Sequence, residues 1–262
     1  MFYKAMITYF FPFFNLLYGI SPGYVIEYKK NCAELDMEIK PIGYIRNAFP
    51  TKFGLPRQSG ICKSVLATLV FEPEFRVPEA LRGLEKYSHV WIIWGFSENK
   101  YTEFSPTVRP PKLGGNTRMG VFATRSSFRP NSLALSCLEL VKIEKDAELG
   151  HILHLSGADM MDGTPVYDIK PYLPHIDAIP YAKGGFSTEI EDYTKDVFIP
   201  RELEEKLPQK LLSCLYEVLK EDPRPSYIDD SNRVFGFEFD KFEIKFKVDG
   251  KALTVVSIEN TI

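Results

Sequence analysis

The chain has 262 residues, of which 45% are hydrophobic and 14% aromatic, so it is long enough to bury a sizeable core. Its formal net charge is −3, so no global excess of charge indicates a nucleic-acid or membrane partner, and such a surface would have to arise from local clustering. The four cysteines are widely spaced without a C-x-x-C pair, which argues against a zinc ribbon or thioredoxin-type site and fits free thiols in a reducing compartment.

Residues 1–36 form an apolar N-terminal extension. The stretch from Ala5 to Ile20 is apolar throughout, but Pro12 interrupts it and no A-x-A cleavage signal follows. We interpret it as a dispensable extension ahead of a second start at Met37; a signal or membrane anchor and a docked helix are the alternatives. Without a functional extension, the protein is expected to be cytoplasmic and not bound to a membrane.

Residues 37–190 are predicted to be rich in β-strands. Seven apolar or aromatic runs of strand length are bounded by glycine, proline and polar clusters: PIGYIRN, SVLATLVF, HVWIIWGF, RMGVFATR, LALSCLELVKI, ILHLSGADMM and TPVYDIKPY. A single helix is predicted in PEALRGLEKYS. The pattern favours a barrel or sandwich, and no G-x-G-x-x-G follows a strand to support a Rossmann nucleotide site.

Residues 200–262 are predicted to form a small α+β unit after a loosely patterned stretch around residues 181–200. The segment RELEEKLPQKLLSCLYEVLKED reads as helix, turn and helix. Beyond it, Asp249-Gly250 lies between two alternating strands, which is a strong hairpin signal.

No acidic residue occurs in the 35 positions between Glu103 and Glu139, where the average acidity of the chain predicts about five. Five basic residues lie in the same window: Arg109, Lys112, Arg118, Arg125 and Arg129. The window is either a solvated basic face balanced by acids elsewhere or a groove for an anionic ligand, since arginine offers a planar fork to carboxylate and phosphate.

A second polar cluster lies in TPVYDIKPY. In an extended chain Thr164, Val166, Asp168, Lys170 and Tyr172 share one face. A carboxylate, an ammonium and a phenol on one strand face indicate either a reactive site or an exposed ion pair between Asp168 and Lys170, which would contribute little to stability.

These two stretches carry a family resemblance. GVFATRSSFRPNSLALS followed by DGTPVYDIKPYLP resembles the TrmO (YaeB) family of tRNA methyltransferases. LPRQSGI, RGLEKYSHVWIIWGF, TVRPPKLGGNTRMG and DPRPSYIDDSNRVFGFEF are similar to further blocks of that family in the same order, from about Ile39 to the C-terminus. The chain differs from the family pattern at Ser132 to Ala134 and at Ser97.

The resemblance implies a mainly β fold, with an antiparallel β-barrel-like domain at residues 37–190 and a small α+β domain at residues 200–262. It implies transfer of a methyl group from S-adenosyl-L-methionine to the exocyclic N6 of threonylcarbamoyladenosine, next to the anticodon of tRNA. It also implies a homodimer with the cofactor near the subunit interface.

The family motifs also imply site residues. For the cofactor these are Gln58, Ser59, Gly60, Ile61, Ser97, Glu98, Arg125, Leu135, Ser156, Gly157, Ala158 and Asp159. Among the reactive residues, Asp168 is the first candidate for the base that accepts the N6 proton, with Tyr172 second. Arg129 and Lys170 are candidates to hold the two ligand carboxylates, and Asn131 to bind a base edge or urea oxygen. Phosphates of tRNA are expected to meet Arg109, Lys112, Arg118, Arg224 and Arg233.

Three alternative functions remain open at this stage. They are a non-catalytic RNA-binding barrel, a metal-dependent hydrolase using Asp159, Asp162 and Asp168, and a methyltransferase with another acceptor. No metal is expected, because one flexible stretch supplies every carboxylate and because His151 and His154, three apart in a strand, would point to opposite faces.

Overall fold

In the computed structural model, residues 38–98, 104–110, 113, 116–188, 194–224, 228 and 230–261 are described. The predictions for the N-terminal extension and for Lys112 and Cys32 therefore lie outside the described residues.

Six antiparallel strands close into a barrel in the order β1-β2-β7-β6-β3-β8. Their bounds are Gly43–Arg46 (β1), Leu66–Phe71 (β2), His89–Gly95 (β3), Leu133–Asp146 (β6), Gly150–Ser156 (β7) and Pro165–Pro171 (β8). The barrel-like fold implied by the resemblance is confirmed, and the sandwich alternative is wrong. Closure leaves the six strands without an open edge, and every second side chain points into the interior.

The predicted strand RMGVFATR is wrong for most of its length. Met119–Gly120 (β5) pairs with Thr107–Val108 (β4) in a two-residue ladder outside the barrel, and Val121–Ala123 forms a 3₁₀ turn. Residues 124–132, which we call the basic loop, therefore lead into barrel strand β6 at Leu133. Val121, which is 1% exposed, anchors the turn before this loop.

The predicted helix in PEALRGLEKYS is also wrong. The segment contains two 3₁₀ turns, Pro78–Leu81 and Leu84–Lys86. Gly83 between them has φ of +92°, a left-handed conformation that a continuous α-helix cannot contain.

The C-terminal part consists of helices and a four-stranded sheet. The helices are Arg201–Glu204 (α2) and Gln209–Lys220 (α3), preceded by the short Pro174–Asp177 (α1) after the barrel. The sheet has the order β10-β11-β12-β9, with Asp196–Phe198 (β9), Phe235–Phe239 (β10), Phe242–Asp249 (β11) and Ala252–Asn260 (β12). The predicted hairpin is confirmed, because Asp249 pairs with Ala252 across a turn in which Gly250 has φ of +53°.

Strand β9 was not predicted from the sequence. It pairs in parallel with β12, within a stretch whose composition indicates a linker.

A continuous hydrophobic core joins the barrel to the C-terminal sheet. The Phe49 and Phe239 rings pack with centroids 5.2 Å apart, and Gly54 lies directly against the ring of Phe237. Two buried thiols, Cys62 and Cys214, belong to this core, and burial raises their pKa to about 12, so they remain protonated.

Candidate functional site

The outer face of β8, β3 and β6 brings together residues that are distant in sequence. Two rows of side chains cross the three strands: Asp168, Ile93 and Leu135 in the first, and Lys170, Trp91 and Cys137 in the second. Adjacent strands are about 4.8 Å apart, so Asp168 and Leu135 stand roughly 10 Å from each other across the sheet. Leu135 is 51% exposed, so this face of the barrel is open to a ligand.

A β-bulge sets which β8 residues reach that face. The pairing shifts between Ile93 and Trp94, so that Asp168 lies opposite Ile93 while Val166 lies opposite Trp94. Val166 is therefore fully buried in the barrel interior, and Asp168 and Lys170 point outwards. The prediction that Val166 shares a face with Asp168 is wrong, because a period of two does not hold across a bulge.

Asp168 and Lys170 form an exposed ion pair, which the sequence analysis gave as the alternative to a reactive site. Their Oδ2 and Nζ atoms are 2.9 Å apart, with about half of each side chain exposed. The Asp168 Oδ1 accepts a hydrogen bond from the backbone N–H of Ile169 at 2.9 Å. Such an exposed pair stabilises the fold little, so it is available to a ligand at small cost. Tyr172 packs its ring against Trp91 with centroids 5.8 Å apart.

The loop carrying Gln58 to Ile61 lies between β6 and the chain that follows β7. The Ser59 Oγ accepts a hydrogen bond from the backbone N–H of Cys137 at 3.3 Å. The Gly60 N–H donates to the carbonyl of Gly157 at 2.9 Å. A Cβ on Gly157 would come within 3.0 Å of the Gly60 backbone, so glycine permits this close approach. The predicted cofactor segments 58–61 and 156–159 are thus in contact.

Asp159 is a partly buried carboxylate beside that loop. The Trp94 Nε1–H donates to the Ser136 Oγ at 2.9 Å, and the Ser136 hydroxyl donates to the Asp159 Oδ1 at 2.6 Å. Burial raises the pKa of Asp159, while the hydrogen bond from Ser136 and the charge of Arg125 oppose that rise. A carboxylate kept in an unfavourable environment is typical of functional sites.

Gln58 links the 58–61 loop to Arg125 of the basic loop. The Arg125 Nη1 donates to the Gln58 Oε1 at 2.6 Å, and the Gln58 Nε2 donates to the Arg57 carbonyl at 2.6 Å. Arg125 is otherwise exposed, so its guanidinium stands at the edge of the site. Arg129 binds its own loop, with its Nη1 2.6 Å from the Thr124 carbonyl oxygen.

The other predicted cofactor and substrate residues differ in exposure. The Ser156 Oγ donates to the Lys63 carbonyl at 2.7 Å and Ala158 is fully buried, so neither presents a side chain to a ligand. Ser97 and Glu98 are exposed in the turn after β3, and Asn131 is exposed just before β6.

The predicted tRNA-contacting residues divide into exposed and buried ones. Arg109, Arg118 and Arg233 are exposed, with the Arg118 Nη1 bound to the Thr107 Oγ1 at 3.0 Å. Arg224 is only 8% exposed, and its Nε binds the Asp222 carboxylate at 3.0 Å. A direct phosphate contact by Arg224 is inconsistent with this geometry, because the charge is already paired inside the protein.

Arg57 is a site-adjacent residue that sequence reasoning missed. Its Nη2 donates to the carbonyls of Asp222 and Arg224, each at 3.0 Å. It therefore ties the start of the 58–61 loop to the turn after α3. Arg57 occurs within LPRQSGI and its partners within DPRPSY, but no pattern in a single sequence pairs two segments 165 residues apart.

The three carboxylates of the hydrolase hypothesis do not converge. Asp159 binds Ser136, Asp162 accepts the backbone N–H of Asn47 at 3.1 Å, and Asp168 lies on the outer face. Within the described ranges, no three histidine, cysteine, aspartate or glutamate side chains are grouped to hold a metal ion. No helix in the described part of the chain is long and apolar enough to cross a membrane.

Two family models match this chain in the same order as the two parts of the fold. The model for the tRNA-methyltransferase O N-terminal domain matches residues 44–178, and the TrmO C-terminal domain matches residues 193–261. The chain belongs to the TrmO family.

Two relatives and a solved structure match this chain over nearly their whole length. The tRNA (adenine(37)-N6)-methyltransferase of Escherichia coli K12 is 38% identical over 85% of this chain and 97% of its own. The protein of the same name from Eikenella corrodens is 42% identical over 66% of this chain and 99% of its own. A crystal structure of TrmO from Pseudomonas aeruginosa superposes with a TM-score of 0.71 at 31% identity, over 87% of this chain and 99% of that one.

Proposed function

We propose that this TrmO-family protein transfers a methyl group from S-adenosylmethionine to the N6 of threonylcarbamoyladenosine in tRNA. The observation that carries the proposal is the E. coli relative, named a tRNA (adenine(37)-N6)-methyltransferase, which this chain matches over 97% of that protein's length. The arrangement of the motifs supports it, since β8, β3 and β6 carry motif residues on one outer face of the barrel. The 58–61 loop contacts β6, Gly157 and Arg125.

The residues around the 58–61 loop fit S-adenosylmethionine as the donor. The loop offers Gly60, which has φ of +77° and no atom of the described residues within 4 Å of where a Cβ would stand, so a ligand can approach its backbone. Exposed apolar side chains of Ile61 and Leu135 suit the adenine ring, and Arg125 suits the cofactor carboxylate. S-adenosylmethionine supplies an electrophilic methyl group on a sulfonium sulfur, and relatives from Pseudomonas aeruginosa are named as putative S-adenosylmethionine-dependent methyltransferases.

Asp168 is the proposed acceptor for the proton on N6. The N6 lone pair is delocalised into the adenine ring and the carbamoyl group, so loss of the proton makes the nitrogen a better nucleophile. With S-adenosylmethionine bound, the N6 nitrogen would take the methyl group and leave the sulfur as a neutral thioether, and the Asp168 carboxylate would accept the N6 proton. Lys170, paired with Asp168, is proposed to attract the threonyl carboxylate.

Arg129 is proposed to hold the cofactor carboxylate together with Arg125. One terminal nitrogen of Arg129 holds the carbonyls of Val121 and Thr124, so this contact would use the remainder of its guanidinium. Asn131 lies exposed beyond it and is proposed to bind a base edge.

The remaining proposals concern partners. The exposed Arg109, Arg118 and Arg233 are proposed to contact tRNA phosphates, the protein is proposed to act as a homodimer, and a tRNA substrate fits a cytoplasmic location.

Replacing Asp168 with Asn tests its proposed role. We expect turnover to fall by about 10²–10⁴-fold, the usual contribution of a general base, with little change in the Kd for S-adenosylmethionine. Single-turnover methyl transfer and calorimetric titration measure the two quantities. A large loss of cofactor affinity would instead make Asp168 a cofactor ligand.

The reaction itself is tested with two tRNA pools and isotopically labelled S-adenosylmethionine. One pool comes from cells that make threonylcarbamoyladenosine without its N6-methyl group, and the other from cells that lack the threonylcarbamoyl modification. The proposal predicts label in the first pool and none in the second. Equal label in both would keep a tRNA methyltransferase but assign it another nucleoside, and no label in either would oppose the proposed reaction.

A further inference from the structure

Two phenylalanine rings stand exposed beside the basic loop. Phe122 is 72% exposed and Phe104 is 50% exposed. Their rings are stacked, with centroids 6.2 Å apart and planes 24° from parallel. Two large apolar rings left together in water are costly unless another surface covers them, so the pair indicates a contact with a partner.

The local structure holds the Phe122 ring in place. Phe122 follows the buried Val121 in the Val121–Ala123 turn, and the Thr124 Oγ1 donates to the Val121 carbonyl at 2.9 Å. The Arg129 guanidinium lies 5.8 Å from the Phe122 ring centroid, and its Nη1 binds the carbonyls of Val121 and Thr124. A cation over an aromatic ring is an attractive contact. The ring is thus presented on a fixed support.

The charge around the pair favours an anionic partner. Both rings lie within the 35 positions that contain no acidic residue, and Arg109 and Arg118 are exposed in the same window. A second copy of this surface, related by a two-fold axis, would place arginines against arginines. Arginine next to exposed aromatic rings is the combination with which proteins bind single-stranded nucleic acid, where bases stack on the rings and cations meet the phosphates.

We propose that Phe122 and Phe104 form a stacking platform for an unpaired base of the tRNA anticodon loop. This inference rests on the proposed function, since it takes tRNA as the partner. Bases that neighbour the modified adenosine are single-stranded, so their faces are accessible to a protein ring. The platform holds the loop while Arg125, three residues after Phe122, reaches the cofactor segment through Gln58.

The test compares three variants: Phe122→Ala, Phe122→Trp and the control Phe198→Ala, which removes a 61% exposed ring from β9. The probe is an anticodon stem–loop RNA carrying unmethylated threonylcarbamoyladenosine, and its Kd is measured by fluorescence anisotropy. Phe122→Ala is expected to weaken binding about five- to 100-fold, while Phe122→Trp and Phe198→Ala bind like the wild type. The ratio of the two Kd values should be the same at 50 and 200 mM salt, because stacking releases no counterions.

Titration with S-adenosylmethionine and the molar mass in solution complete the test. Both are expected to be unchanged in Phe122→Ala. A reduced cofactor affinity would place the ring in the cofactor pocket, a reduced molar mass would place it in a subunit contact, and an unchanged RNA Kd would exclude the platform. Each of these overturns the inference. Because RNA binding is measured without methyl transfer, an inactive wild type that binds the RNA through Phe122 would refute the proposed reaction alone.

Discussion

Asp159 is a residue whose position beside the proposed cofactor loop lowers the stability of the fold. Its carboxylate lies among buried groups, and burial raises its pKa. An aspartate with a raised pKa in the folded state takes up its proton at a higher pH than it does in the unfolded chain. Its ionised form therefore lowers the free energy of unfolding, and this loss develops as pH rises from the unfolded value of about 3.9 through the folded pKa.

Replacing Asp159 with Asn removes that pH-dependent loss. We expect the free energy of unfolding of Asp159→Asn, relative to the wild type, to increase between acid and neutral pH, while S-adenosylmethionine binding weakens. Urea unfolding over a pH series measures the first effect and calorimetry the second. A relative stability that falls with rising pH would mean that the charged carboxylate stabilises the fold.

The ion pair between Asp168 and Lys170 could be predicted from the sequence, but the inward orientation of Val166 in the same strand could not. Asp168 and Lys170 are two apart, so any regular strand places them together, and the structure does. The bulge that turns Val166 inwards depends on pairing with β3, some 70 residues away, and local periodicity carries no information about it.

Two glycines decide how separate elements meet. Gly54 has φ of +96°, and a Cβ there would lie 2.4 Å from the Phe237 ring, at the contact between the barrel loop and β10. Gly83 has a similar φ of +92°, but a Cβ there would meet no atom of the described part of the chain within 4 Å. A comparison of alanine substitutions at the two glycines therefore distinguishes the free-energy cost of a positive φ from the cost of crowding the Phe237 ring.

We expect Gly83→Ala to lower the free energy of unfolding by about 1–3 kcal/mol, the usual strain of a positive φ in a non-glycine residue. Gly54→Ala carries the same strain and adds overpacking of about 1–3 kcal/mol. Chemical denaturation of both variants measures the difference. Equal losses would show that the Phe237 ring moves aside freely.

Arg57 connects two elements through a buried network of charges. Its guanidinium bridges the carbonyls of Asp222 and Arg224, and the Asp222 carboxylate is paired with Arg224 at 3.0 Å and with Lys195 at 3.5 Å. The network fixes the start of the 58–61 loop against the turn after α3, so the C-terminal part helps to shape the proposed cofactor site.

Replacing Arg57 with Ala leaves two buried carbonyls without their donor. We expect a loss of about 1–3 kcal/mol for each unsatisfied acceptor and a weaker Kd for S-adenosylmethionine. Arg57→Lys keeps the charge but cannot donate in the same planar geometry, so it should restore only part of the binding. Unchanged cofactor binding in a destabilised Arg57→Ala would limit Arg57 to a structural role.

At the scale of the whole molecule, a chain of net charge −3 is proposed to bind a polyanion through one local basic surface. Phosphate contacts release counterions, so the logarithm of the tRNA binding constant should fall linearly with the logarithm of salt concentration. Arg118→Ala is expected to reduce that slope by about 0.7–0.9, and Arg201→Ala, on the distant α2, should leave it unchanged. An unchanged slope in Arg118→Ala would remove Arg118 from the tRNA surface.

The strand-rich architecture could be predicted from the sequence because strands and turns are local signals, while the cofactor segments stay a prediction from the motif blocks. The sequence did not predict β9, whose pairing with β12 involves a strand distant in sequence, or the burial of Arg224, whose guanidinium pairs with the Asp222 carboxylate. The leucine spacing in PEALRGLEKYS predicted a continuous helix, but the left-handed conformation of Gly83 divides the segment into two 3₁₀ turns. The sequence could not reveal the barrel closure that aligns β8, β3 and β6, because it depends on long-range pairing.

One experiment tests both whether the protein methylates threonylcarbamoyladenosine and whether the outer face of the barrel is needed for that reaction. The wild type and Leu135→Arg, which alters an exposed side chain of β6, are incubated with labelled S-adenosylmethionine and tRNA carrying unmethylated threonylcarbamoyladenosine. Nucleoside mass spectrometry then locates the label. The account predicts label on N6 of threonylcarbamoyladenosine with the wild type and almost none with Leu135→Arg at an unchanged Tm. Label on another nucleoside, or full labelling by Leu135→Arg, would contradict it.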